Sequence, residues 1–113
     1  MDKSYIFGEL LKVLEERKSA APDKSYVASL YEKGVPKIAQ KLGEEAVESV
    51  IAAMKYAQDA SSENKEEFLK ESADLLFHWM VLCSYMDVHP NEVFSILEDR
   101  FGLSGMDEKA NRS

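Results

Sequence analysis

Five carboxylates have the type and spacing to do chemistry. Glu44, Glu45 and Glu48 stand in the run Lys41-Leu42-Gly43-Glu44-Glu45-Ala46-Val47-Glu48, and Glu71 and Asp74 in the run Glu71-Ser72-Ala73-Asp74. On a helix, a spacing of three puts both members of each pair on one face. At about 100° per residue, Lys41, Glu45 and Glu48 share a sector of roughly 60°, with Glu44 about 40° beyond Glu48; Glu71, Asp74 and His78 share another of about 60°. Same-sign pairs at this spacing cost a lone helix about 0.2–0.5 kcal/mol each, so something must offset them. Taken alone, the first run reads as a solvated face paired with Lys37 and Lys41. The second changes that reading, because it enters a nearly uncharged segment from Leu75 to Met86. There Leu75, Leu76, Phe77, Trp79, Met80, Val81 and Cys83 fill most of the remaining circumference. A helix apolar nearly all round is expected to be buried, so Asp74 and His78 are expected to be answered from inside the protein. If the two helices pack antiparallel, four carboxylates meet across one groove, and a hard divalent ion is the simplest compensation. Magnesium, with manganese as the alternative, suits an all-oxygen shell, whereas zinc would call for histidine or cysteine. His78 reads as a core histidine behind the ligands, and Cys83 has no base beside it to make it a nucleophile. Lys33, Lys37 and Lys41, four residues apart, are either a solvated stripe or a row facing phosphate.

The elements that must position these groups are helices. Ile6, Leu10, Leu11, Val13 and Leu14 predict a first helix over 3–18. The stretch Ser25 to Gly34 is a short helix or an ordered loop, with Gly34 as its stop. From Pro36 the pattern Ile38, Leu42, Ala46, Val50, Ala53 predicts a long helix to about Ala57. Its core stripe is expected to be Ile38, Leu42, Ala46, Val47, Val50, Ile51 and Met54, edged by the acids. Gly43 inside it costs about 1 kcal/mol relative to alanine, which either weakens the helix there or points to a close backbone approach. A polar link, Asp59 to Asn64, leads to a second long helix from about Lys65 to Met86, and Pro90 opens a last one to Phe101, stopped at Gly102. The tail from Ser104 is polar and aperiodic and, by itself, reads as frayed. An all-α antiparallel bundle follows, with 1–113 as one domain. Two long helices with wide apolar faces exceed what a chain this size need bury, so a homodimer is expected.

Composition narrows the classes. With 45% hydrophobic and 31% charged residues the chain is an ordinary globular protein, and its net charge of −7 argues against nucleic acid or an anionic membrane as partner. A small phosphorylated ligand held through a metal remains compatible. Cys83 is the single cysteine, which excludes an intrachain disulfide and suits a reducing compartment. Met1-Asp2-Lys3-Ser4-Tyr5 lacks a charged stretch followed by an apolar run, and no apolar run reaches the roughly 18 residues of a membrane span. A cytoplasmic location is expected.

Taken together, E-E-x-x-E followed some twenty residues on by E-x-x-D resembles the all-α nucleoside triphosphate pyrophosphohydrolases, the superfamily of the MazG proteins and dimeric dUTPases. The finer resemblance is to the phosphoribosyl-ATP pyrophosphohydrolases of histidine biosynthesis. It rests on Ser25-Tyr26-x-x-Ser29-Leu30, on Lys33-Gly34 leading to Lys37-Ile38 and Lys41-x-Gly43-Glu44-Glu45, on Glu71-x-Ala73-Asp74-Leu75 through His78, and on Ser104-Gly105-x-x-Glu108-Lys109. Residues 1–20 carry none of it, and Phe101-Gly102-Leu103 stands where many relatives are more basic. The resemblance implies magnesium-dependent hydrolysis of phosphoribosyl-ATP to phosphoribosyl-AMP and pyrophosphate by metal-activated water attacking between the α and β phosphates. By motif position Glu45, Glu48, Glu71 and Asp74 would bind metal, and Glu44 would be a further ligand or would orient water; on chemical grounds Glu44 or Glu48 is expected to take the proton of that water. Lys33, Lys37, Lys41, Arg100 and Lys109 are the candidates for phosphate contacts. The alternative within the superfamily is a MazG-like enzyme acting on another nucleotide. A di-iron bundle is disfavoured because it needs Glu-x-x-His pairs, and a non-enzymatic helical module would have no metal-dependent hydrolysis to lose.

Overall fold

In a computed structural model that describes residues 1–103, the chain forms five helices: α1 (Ile6–Arg17), α2 (Tyr26–Lys33), α3 (Val35–Gln58), α4 (Ser62–Tyr85) and α5 (Pro90–Arg100). No strand occurs among these residues, and no helix is long and apolar enough to cross a membrane. The stretch read as helix or loop is α2: the Ser25 hydroxyl accepts from the Ala28 amide at 3.2 Å, and Val27 and Leu30 bury its inner face. Gly34 ends α2 and starts α3 at φ +79°, a backbone that favours glycine, and a Cβ there would crowd the Tyr85 hydroxyl at 3.2 Å. Gly43 is different. A Cβ there would meet nothing within 4 Å, so the expected close approach is absent and only the helix-propensity cost remains.

The link between α3 and α4 is three residues shorter than expected, because Ser61 caps α4 by accepting from the Asn64 amide at 3.1 Å. Asn64 in turn donates from its side chain to the Asp59 carbonyl at 2.9 Å, closing the link. The long helices form a tight antiparallel hairpin, with Tyr56 stacked on Phe68 near its tip. At the other end Leu14, Val27, Leu30, Ile38, Met80 and Val81 make the buried core. There α5 docks through Phe94, edge-on to Phe7 at 5.4 Å and tilted against Trp79 at 6.1 Å.

The stripe assigned to the core of α3 is corrected. Val47, Val50, Ile51 and Met54 are 48–60% exposed, and the buried positions are Ile38, Glu45, Ser49 and Ala52. Periodicity groups residues on a face without saying which face meets the rest of the chain, and here α4 lies over the acidic edge. On α4, Leu69 and Leu76 are also exposed, and Asp74, expected to be enclosed, is open to solvent, while His78 is buried.

Candidate active site

The hairpin brings acids from both long helices together. Glu45 of α3 with Glu71 and Asp74 of α4 each offer one carboxylate oxygen, and these oxygens lie within 4.8 Å of one another. Glu45 is only 7% exposed, Glu71 is half-buried and Asp74 is open. Glu48 joins them by lying against Glu71: hydrogen bonding to the Glu48 carboxyl, followed by loss of water and the nearby Glu45, pushes the Glu71 pKa up to about 7. Glu45 Oε2, Glu71 Oε2 and the Ser49 hydroxyl are buried without a hydrogen-bond partner. Buried oxygens left unanswered are costly. An all-oxygen set of this kind fits a hard divalent cation, which would answer them at once. Glu45, Glu71, Asp74 and the adjacent Glu48 are the residues that could hold it.

Two further features bound what the site can do. Glu44 turns along its own helix, accepting from Gln40 at 2.9 Å and from Lys41 at 3.1 Å, and these contacts hold its carboxyl below the usual range. Lys41, partly covered, is held above its usual range chiefly by Glu44. A family model described as phosphoribosyl-ATP pyrophosphohydrolase matches residues 7–101.

The chain belongs to that family. Membership places it among the hydrolases of histidine biosynthesis, acting on a small nucleotide substrate, and agrees with a divalent cation at the acidic cluster. The match takes in α1, where none of the motifs had been read, and ends before the Ser104-Gly105 segment. Lys109 and the rest of that ending lie outside the described residues. Of the other cations, Lys37 is half-buried and acts on Glu44, whereas Lys33 in the last turn of α2 and Arg100 in the last turn of α5 are exposed.

In this member of the phosphoribosyl-ATP pyrophosphohydrolases a hydrogen-bonded pair stands behind the acids. The His78 Nδ1–H donates to the Asp74 carbonyl at 2.8 Å, which leaves Nε2 to accept from the Tyr26 hydroxyl at 2.9 Å. Loss of water, opposed by Lys41 and reinforced by Glu45 and Asp74, holds the Tyr26 phenol above its usual range, which places it in the field of the site. His78 is thus a buried histidine with both ring nitrogens satisfied, one of them by the backbone of Asp74. Burial also raises the Cys83 thiol, in keeping with an inert cysteine. Sequence reasoning missed Ser49, one turn from Glu45, and Lys55, two turns from Glu48. Helical spacing alone would have placed both on the acidic face. Lys55 lines a groove of about 270 Å³ with Glu48, Ile51, Ala52, Glu67 and Glu71.

Proposed function

We propose that the protein hydrolyses phosphoribosyl-ATP to phosphoribosyl-AMP and pyrophosphate, with magnesium held by Glu45, Glu48, Glu71 and Asp74. The observation that carries this reading is the convergence of Glu45, Glu71 and Asp74 oxygens within 4.8 Å, in a chain of this family. When bound, a divalent cation neutralises phosphate oxygens and acidifies water. The chain's residues do the rest. The carboxylates hold and orient, while water enters between the α and β phosphates and one carboxylate takes its proton. Glu48 is favoured over Glu44 for that step. Glu44 is already tied to Lys41 and Gln40, whereas Glu48 faces the groove and makes no ion pair among the described residues. Lys33, Lys37, Lys41, Arg100 and Lys109 are the proposed phosphate contacts. The protein acts in the cytoplasm as a homodimer, a second copy covering Val47, Val50 and Met54.

The test is an assay of phosphoribosyl-ATP against a panel of ordinary nucleoside triphosphates, with magnesium and with a chelator. Phosphoribosyl-ATP should lead the panel by about tenfold or more in kcat/KM, a difference of roughly 1.4 kcal/mol in the barrier. Chelation should abolish turnover. Glu45→Gln and Asp74→Asn should each lower kcat/KM by about 100-fold or more, since even groups behind metal ligands are worth about 10–100-fold. Equal or better turnover of ordinary triphosphates would replace this substrate with another nucleotide of the MazG type.

A further inference from the structure

Beyond the carboxylate cluster the α3–α4 groove continues toward the hairpin tip, sharing Glu48 and Glu71 with the cluster and adding Ile51, Ala52, Lys55 and Glu67. Among the described residues Lys55 is the only cation in that lining. It stands seven residues after Glu48, two turns along the same face and about 10 Å farther down the axis. Among the described residues it makes no ion pair, whereas Lys41, on the opposite side of the acids, is held by Glu44 at 3.1 Å. The groove's volume of about 270 Å³ falls below the roughly 300 Å³ at which pockets begin to enclose a drug-sized ligand. The groove is open to solvent, and at this size its far end suits a compact group.

From this geometry we propose that Lys55 is a substrate-binding residue that seats the diphosphate end of the substrate, and afterwards the pyrophosphate product. Three carboxylates line the groove, so a diphosphate entering it needs positive charge at the far end as well as at the acidic cluster. Lys55 supplies it on a flexible stem, with Ile51 and Ala52 as an uncharged floor. The rest of the substrate, with its α phosphate and phosphoribosyl group, is thereby directed the other way, toward Lys41 and Tyr26. The proposal rests on the hydrolysis proposed above and adds its direction along the hairpin.

The experiment is calorimetric titration of inorganic pyrophosphate into the magnesium-loaded protein, beside steady-state kinetics with phosphoribosyl-ATP, for wild type, Lys55→Met and Lys55→Arg. Lys55 is exposed, so its replacement leaves the core untouched. Lys55→Met should weaken pyrophosphate binding and raise KM by about tenfold, the usual cost of one charge-assisted contact. Binding of phosphoribosyl-AMP, which has no diphosphate, should stay the same, and Lys55→Arg should recover most of the loss. Lys65→Met, on the outer surface near the start of α4, should behave as wild type. The proposal is overturned by unchanged pyrophosphate affinity in Lys55→Met, by equal weakening of pyrophosphate and phosphoribosyl-AMP, or by a wild type that binds no pyrophosphate. A wild type that binds pyrophosphate through Lys55 but leaves phosphoribosyl-ATP intact would overturn the substrate reading and keep the lysine.

Discussion

Glu71 lies against two other carboxylates, and its pKa of about 7 makes it sensitive to neutral pH. Without a cation, the folded chain keeps a proton on Glu71 between about pH 4.5 and 7 that the unfolded chain has already lost. A raised folded-state pKa contributes stability below the unfolded value, and that contribution disappears as pH rises through the folded one. The melting temperature of chelator-treated protein should therefore fall from pH 5 to pH 7.5, and Glu71→Gln should flatten that slope. Magnesium should raise the melting temperature at pH 7.5 and do little at pH 5, because the ligand must be deprotonated to bind. A flat profile in wild type would contradict the crowding of these acids. The pairing of the acids was legible in the sequence, since a spacing of three is a property of one helix. So was the pairing of the first run with Lys41, which Glu44 makes at 3.1 Å, and helical spacing puts Lys55 on the acidic face; the bond from Tyr26 to His78 and the meeting of Lys55 with α4 across the groove were not. They depend on which rotamer wins or on how separate elements register, and no local pattern encodes either.

At the level of elements, the hairpin's register decides whether the two acidic runs meet, and its shortest component controls it. Ser61 and Asn64 close the three-residue link between α3 and α4. Ser61→Ala should cost about 1 kcal/mol, the usual value of an N-cap, and would be seen as a lower melting temperature and a weaker response to magnesium. A loss of stability with full magnesium response would separate the cap from the register. The helices themselves were readable because proline, glycine and serine punctuate a clear apolar period. The start of α4 was read three residues late, since Ser61 and Ser62 looked like more of the polar link until one hydroxyl was seen to cap. Eight-residue α2 was undecidable locally, and Val27 and Leu30 hold it only once α3 and α4 are present. The inner face of α3 was misread for a related reason. Its bulkiest stripe looked like core, but among the described residues no further helix lies against it.

The whole molecule is more open than its length requires. Its radius of gyration is 17.1 Å, against about 13 Å for a compact domain of some 100 residues. Val47, Val50, Ile51 and Met54 recur at helical spacing along the outside of α3, with Leu69 and Leu76 exposed on α4. A second hairpin laid on that side would complete a four-helix bundle. Sedimentation of the wild type should give a dimer at micromolar concentration, and Val50→Glu, which sets like charges against each other across a two-fold interface, should give a monomer. A monomeric wild type would leave the apolar stripe without an occupant. The inward face of α3 carries a different consequence. Where most helices show a partner bulky hydrocarbon, α3 shows α4 the seam Glu45, Ser49 and Ala52, with oxygens left unanswered along it. A cation held by these oxygens, as proposed, would then be a fastener as well as a reagent, because a ligand bound only by the folded state adds directly to its stability. Scarcity of that ion would be felt twice, as lost turnover and as a hairpin that opens more often to proteases.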